Sequence, residues 1–306
     1  MKRTSHMAAA LAAAVTLAFG AGCTNASETN STAKAKPSFS AQAADKTLSA
    51  MVPAKIRTAG TIRVATDATY PPFESVAKDN KTIEGADIDL INEIASLLGL
   101  RAGLQNASFD AIVPGIAAGK FDVAVSGILD RPSRREHIDF VDYAMNSTMF
   151  FVKAENKGKF PTWANTCGYS IAVQTGTSMA DDAQAVTKKC TAAGKRAIKI
   201  NNFRTQDEVV LAVQSGRADV GVSTGGSTAA IVKQTGPLFV TSAPPDAPTK
   251  PGALGIAVQK SDPELVKAVQ AALKKLIENG TYDRIMDTWG LKDCCSNKSA
   301  KINGGT

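Results

Sequence analysis

The chain has 306 residues, 44% of them hydrophobic and 21% charged, with a formal net charge of +7. That is ordinary globular composition, with room for two modest domains or one large one. The basic residues are scattered and often sit beside acids (Lys153 with Glu155, Lys260 with Asp262), which reads as a solvated surface and speaks against a nucleic-acid partner; with only His6 and His137, an ordinary zinc site has too few histidine ligands.

Residues 1–22 have the layout of a secretory signal peptide: Lys2 and Arg3, then an Ala-rich apolar run, then small residues. The run is shorter than the roughly 20 residues a spanning helix needs. Gly20-Ala21-Gly22-Cys23 resembles a bacterial lipobox, whose cysteine is acylated and becomes the mature N-terminus. That pattern prefers Leu where this chain has Gly20, and the bland alternative is a cleaved signal with an incidental cysteine. Residues 23–52 are then the anchor cysteine and a flexible tether, rich in Ser, Thr, Ala, Asn and Lys with no hydrophobic period.

From residue 53 strands and helices alternate. Residues 62–66 alternate like a strand, and Tyr70-Pro71-Pro72-Phe73 is a loop. Residues 87–98 place Ile88, Ile91, Ile94, Ala95 and Leu98 on one helical face, with Gly99 beyond its end. A helix over 109–118, a buried strand over 122–127 and a short helix over 131–137 follow. A second block reads as strand 169–174, helix 178–193, strand 197–203, helix 206–217 and strand 218–223. A proline-rich stretch over 243–252 leads to strand 254–259. An amphipathic helix over 263–279 is opened by Ser261 and Asp262 and closed by Gly280. This alternation means α/β, with sheets covered on both faces. Cys167 and Cys190 flank a strand and a helix; under export they read as one disulfide or as two buried thiols. The adjacent Cys294 and Cys295 sit in a polar tail over 292–306, where a vicinal bridge, an intermolecular bridge and no bond all remain open.

Four stretches, in order, carry a resemblance: Val64-Ala-Thr-Asp-Ala-Thr-Tyr-Pro-Pro-Phe-Glu74; Gly85-Ala-Asp-Ile-Asp-Leu90; Ser126-Gly127 with Arg134 and Asp139-Phe140; and Gly255-Ile-Ala-Val-Gln-Lys260. Together with Gly280-Thr-Tyr-Asp and Trp289-Gly-Leu they resemble the bacterial extracellular solute-binding proteins of family 3, the polar amino-acid receptors of ATP-binding-cassette importers, over about residues 53–291. The Cys167 pattern with Lys189-Cys-Thr-Ala-Ala-Gly194 resembles actinobacterial lipoprotein members and implies a Cys167–Cys190 disulfide. The implied fold is two-lobed, of the type II periplasmic-binding-protein kind. Lobe 1 would be 53–150 plus 251–291 and lobe 2 would be 156–247, with crossings near 150–155 and 244–252 and the ligand cleft between.

The resemblance assigns Arg134 to a ligand carboxylate, and its planar fork suits a bidentate pair. The alternative is an exposed helical arginine. Ser126 and Gly127 belong to the same motif. The backbone N–H groups of Thr177 and Ser178, at a helix start, are placed to receive that carboxylate; the alternative is a plain N-cap. Tyr70 and Phe109 match an aromatic pair around the ligand side chain, against core packing for Phe109. Asp67 matches a contact to a ligand amine, against capping of the following turn, and Asp89 braces its helix. Two positions depart from the family. Leu129 stands where a hydroxyl is usual, and Thr224 stands where an acid pairs with the α-ammonium. The implied function is the substrate-binding component of an amino-acid importer, a lipid-anchored monomer outside the cytoplasm. It binds a small polar amino acid or related carboxylate by lobe closure and hands it to a membrane permease, with no catalysis, metal or cofactor. Two alternatives share the fold: an exported dehydratase of prephenate-like acids, with Asp67, Glu74 and Asp130 as the available acids, and a receptor reporting to a membrane kinase.

Overall fold

The structure is a computed structural model that describes residues 42–305. The expected signal segment and Cys23 lie outside the described residues. Helices α1 (Lys46–Ala50) and α2 (Ala54–Ala59) open the described chain. Strand β1 (Thr61–Thr66) leads to β2 (Thr69–Tyr70), β3 (Glu74–Val76) and β4 (Ile83–Glu84), then to α3 (Ala86–Leu97). Next come β5 (Arg101–Asn106), α4 (Phe109–Ala117), β6 (Val123–Ala124), α5 (Pro132–Arg135) and the long β7 (Ile138–Asn146). The chain then runs through β8 (Thr148–Lys153), β9 (Ser170–Gln174), α6 (Ser178–Ala192), β10 (Lys199–Phe203) and α7 (Gln206–Gln214). It continues with β11 (Val220–Thr224), α8 (Gly225–Thr235) and β12 (Phe239–Ser242), and returns with β13 (Gly252–Gln259), α9 (Pro263–Glu278), α10 (Thr281–Thr288) and α11 (Lys292–Cys295).

Two five-stranded sheets form the two lobes, in the orders β5-β1-β6-β13-β7 and β10-β9-β11-β8-β12, and β2-β3-β4 make a small third sheet. In the first sheet β5, β1 and β6 are parallel and β13 is antiparallel to its neighbours. Each sheet is buried on both faces, as helical crossovers require. Ile62 and Val64 pack on one side with Ile94 of α3 and Leu273 of α9, while Ala65, Ala124 and Ala257 face Ile112 and Ile116 of α4. The second sheet repeats this, with Val173 and Val222 against Met179 and Val186 of α6, and Phe151 and Ala172 against Val209 and Val213 of α7. Helix α9 shows why the pattern folds this way. Leu265, Val269, Ala272 and Leu276 recur at three and four residues and are all buried, Asp262 accepts a bond from the Leu265 N–H, and Pro263 fills the first turn.

Three sequence expectations are corrected, and one helix is added. The tether expected over 23–52 is structured at its end: Asp45 caps α1 and donates its N–H to the Leu97 carbonyl, so Leu48 and Val52 are buried on the first lobe. The first crossing lies at Ser147 and not over 150–155, because β8 already pairs with β11 from Thr148 to Phe151. Helix α8 has no counterpart in the sequence reading, since Gly225-Gly226 looks like a turn; Gly226 is required there because a Cβ on it would come within 2.7 Å of Leu291 and 3.1 Å of Phe73. The strand expected over 122–127 is regular only at Val123–Ala124. Beyond it the chain turns at Gly127, whose φ of +54° suits glycine.

The polar tail is docked along β7. Ser296 and Ile302 bridge to Ala144 and Val141, Asn303 Nδ2 donates to Asp139, and the N–H groups of Gly304 and Gly305 donate to Asp142 and Asp130. Cys294 and Cys295 are bonded to each other in α11. Cys167 and Cys190 are bonded with their Cα atoms 5.7 Å apart, tying the start of β9 to the end of α6.

Two stability predictions follow from these contacts. The Cys167–Cys190 bond spans 23 residues, so replacing both cysteines by Ala should cost about 3 kcal/mol, read as a lower urea midpoint; an unchanged midpoint would show that the bridge adds nothing. Burial, and then the charge of Asp130, push Asp142 up to about 7. The native state therefore holds a proton that the unfolded chain releases near its ordinary value of about 4. The stability linked to this group is full below about pH 4 and is lost as pH rises through 7. The melting temperature of Asp142→Asn relative to the parent should accordingly rise between pH 5 and pH 8, whereas a pH-independent offset would remove Asp142 as the titrating group.

Candidate functional site

The site is built where strands end. Asp67 follows β1, Ser126 follows β6, Gln174 closes β9, and Thr224 closes β11. In open α/β sheets the carboxyl ends of parallel strands face the ligand crevice, and here both lobes turn those ends toward each other. Thirteen residues line the cavity between them: Asp67, Tyr70, Phe109, Ser126, Gly127, Leu129, Arg134 and Asn146 from the first lobe, and Gln174, Thr177, Ser178, Met179 and Thr224 from the second. The structure thus brings all nine residues singled out from sequence to one place. Asn146, Gln174 and Met179 were missed as site residues, and only tertiary structure puts them there.

Arg134 is the dominant charge. It is 6% exposed and its guanidinium donates to two carbonyl oxygens, Nη1 to Leu129 at 2.9 Å and Nη2 to Gly176 of the other lobe at 3.0 Å. Its guanidinium carbon lies 5.5 Å from the centre of the Phe109 ring. No carboxylate pairs with it among the described residues. Burial, reinforced by the charge of Arg131, lowers it to about 9, against a weaker pull from Asp181. A cation this buried gains most from an anion brought to it.

Beneath the cavity floor lies an acid pair. Ser126 Oγ donates to Glu74 at 2.9 Å and accepts the Asp67 N–H at 3.0 Å. Asp87 accepts from the Gly127 N–H at 2.9 Å and from the Tyr143 hydroxyl at 2.7 Å. Burial raises Asp87 to about 6; burial and then the Asp87 charge hold Glu74 well above the carboxylate range. The pair therefore carries a proton under mildly acidic conditions, and it positions the two floor groups, Ser126 and Gly127.

The second lobe offers two helix starts. Thr177 caps α6 by accepting the Ala180 N–H, and Ser178 is its first residue. Thr224 caps α8, accepting the Ser227 N–H at 3.4 Å. The capping readings and the cavity-lining readings hold together at both.

The lobes are closed on each other by polar ties. The Tyr70 hydroxyl donates to Thr224 Oγ1 at 2.8 Å and accepts from Ser223 Oγ and the Thr224 N–H, both at 3.1 Å. Gln174 Nε2 donates to Asp67 at 2.7 Å, Arg131 pairs with Asp181 at 2.6 Å, and the Gln206 N–H donates to Thr69 Oγ1 at 3.3 Å. The aromatic residues are engaged otherwise than a facing pair would be: Tyr70 stacks on Phe73 at 5.9 Å, and Phe109 carries the Arg134 guanidinium. The cavity measures about 20 Å³, the space of about one water molecule, so a larger guest enters only when the lobes part.

Of the acids considered for catalysis, only Asp67 lines the cavity. It accepts from Thr69, Phe109 and Gln174, and burial raises it. Glu74 is buried under Ser126. Asp130 lies away from the cavity, bound by Arg135 and the Gly305 N–H. Asp89 accepts from Trp289 Nε1 outside the cavity.

Residues 62–292 match the family model described as bacterial extracellular solute-binding proteins, family 3. The arginine-binding protein ArgT of Corynebacterium glutamicum is 30% identical over 253 residues, covering 80% of this chain and 79% of that protein. Among solved structures, an ancestral arginine-binding protein bound to arginine aligns with a TM-score of 0.67 at 30% identity, covering 75% of this chain and 98% of that one. An ancestral amino-acid-binding protein, a precursor of cyclohexadienyl dehydratase, aligns with a TM-score of 0.69 at 32% identity, covering 77% and 97%.

The closure ties make a prediction. Tyr70→Phe removes a hydroxyl that makes three bonds across the cleft, each contributing about 1 kcal/mol net. The ligand-free variant should show a larger radius of gyration by X-ray scattering than the parent; an identical profile would show that the remaining ties hold the lobes without it.

Proposed function

Because the chain belongs to the bacterial extracellular solute-binding proteins, family 3, we propose that the amino acid it delivers to its importer is cationic, with L-arginine the first candidate. The protein is the substrate-binding component of an amino-acid ABC importer. The observation that carries the ligand reading is Arg134, a buried guanidinium at the seam of two lobes that, among the described residues, bonds two carbonyls and no carboxylate. An α-carboxylate supplies the missing anion and, by touching the N-terminus of α6 as well, draws the lobes together. Among the described residues, Asp67 is the one carboxylate lining the cavity, and the Gln174 amide that donates to it comes from the second lobe, so parting the lobes frees one of its oxygen sites for a guest. That carboxylate favours a cationic side chain through ion pairing. The relatives named arginine-binding support the same ligand.

Binding energy then shifts an open–closed equilibrium, since only the closed form presents contacts from both lobes. In this reading the receptor works as a monomer outside the cytoplasm, anchored through Cys23 and docking on a membrane permease. It catalyses nothing: Asp67, the one cavity acid among the described residues, is held by three donors, one of them Gln174 of the second lobe.

Isothermal titration with L-arginine tests this directly. Removing one partner of a buried ion pair costs about 2–5 kcal/mol, so Arg134→Ala should weaken binding by about 30-fold or more, with Arg134→Lys between. Binding that survives Arg134→Ala would remove the carboxylate assignment. Turnover of prephenate or arogenate by the parent protein would replace the receptor reading with a dehydratase.

A further inference from the structure

An amino acid brings two charged groups to its receptor, and the proposed carboxylate anchor leaves the α-ammonium to be received. The acceptors in the cavity are largely spent. Thr224 Oγ1 already accepts from the Tyr70 hydroxyl and the Ser227 N–H, which uses both lone pairs of a hydroxyl oxygen. Ser126 Oγ accepts the Asp67 N–H and donates to Glu74. Asp67 accepts from three donors.

Asn146 differs. It is the last residue of β7, 6% exposed and on the cavity wall. Among the described residues, its Oδ1 is the one fully buried side-chain polar atom on that wall with no hydrogen-bond partner. A buried carbonyl oxygen left unpaired is costly, and its persistence marks a place where a donor arrives. Its location is specific. The next residue, Ser147, accepts the Gly225 N–H at 2.9 Å, and Thr148 pairs with Thr224 across the β8–β11 ladder. Asn146 therefore stands beside Thr224, at the point where the chain passes between lobes.

We propose that Asn146 is a specificity-determining residue that receives the ligand's α-ammonium on its neutral Oδ1, beside the Thr224 hydroxyl that Tyr70 and Ser227 already engage. This rests on the reading of Arg134 as the carboxylate anchor. A carboxamide carries donors as well as an acceptor, so the subsite prefers an ammonium to nothing but penalises a neutral α-substituent less than an acid would. Because Asn146 immediately precedes the first crossing at Ser147, the contact couples ligand chemistry to the segment that bends when the lobes part.

The test uses titration of two probes, L-arginine and 5-guanidinopentanoate, which lacks the α-amino group, against the parent protein, Asn146→Ala, Asn146→Asp and Arg134→Ala. A hydrogen bond to a charged group corresponds to a loss of about 10- to 100-fold. Asn146→Ala should weaken L-arginine by that factor and the desamino probe by less than about 3-fold. The near-isosteric Asn146→Asp should tighten L-arginine and weaken the desamino probe, which a merely structural role would not do. Equal losses for both probes, or no loss for either, in a receptor that still requires Arg134 would overturn the subsite alone. A parent protein that binds neither probe, or binds independently of Arg134, would overturn the subsite together with the reading beneath it.

Discussion

A single guanidinium, buried where two lobes meet and bonded to neither lobe's acids, sets the terms for this molecule. Arg134 takes one carbonyl from its own loop, Leu129, and one from the opposite lobe, Gly176. Carbonyl dipoles hold it in place without neutralising it. The desolvation cost of such a charge is met elsewhere, by the apolar clusters on both faces of each sheet. Arg134 is held on a four-residue helix braced by Arg135, which bonds Asp130 and the carbonyl of Gly305 from the docked tail. The cavity's chief cation thus rests on residues more than a hundred positions away in sequence.

The support beneath the cavity has the same logic with the opposite sign. Glu74 and Asp87 are two carboxyl groups that cannot both ionise comfortably when buried together. Each instead presents an oxygen to a group of the cavity floor, Ser126 or Gly127. Floor geometry is therefore fixed by hydrogen bonds from below, which leaves the upper surface free to meet a guest. The Gly127 turn is part of this arrangement: a Cβ there would stand 3.2 Å from the Tyr70 ring.

What the sequence made legible divides along physical lines. Helix α9 and strand β1 announce themselves through period and caps, which are local properties. Of the nine expected cavity residues, Asp67, Tyr70, Ser126, Gly127 and Arg134 lie in ordered motifs, each too short to be informative alone, and Phe109, Thr177, Ser178 and Thr224 followed from the family resemblance those motifs carry. The elements missed were those that tertiary contacts dictate. Helix α8 begins with two glycines that local propensity assigns to a turn, but close packing against Leu291 and Phe73 demands the second, Gly226. The stretch 138–153 is two strands split by one residue, and no turn signal marks Ser147 as the place where the chain changes lobe. Asn146 escaped notice because an asparagine before a serine has no periodicity to read. Its significance comes only from the neighbour that β8–β11 pairing brings beside it. The end of the tether was misread because α1 is five residues long, too short for a period to emerge.

The docked tail has a consequence of its own. Strand β7 is the outermost strand of the first sheet, and Ser296 and Ile302 lie against it while Asn303 takes the Phe140 N–H. A long outer strand with free backbone groups is a template on which another chain can add. By occupying that row with its own last residues, the molecule removes a sticky margin. With this margin covered, two copies that meet along β7 find no open row of backbone groups there on which to extend the sheet.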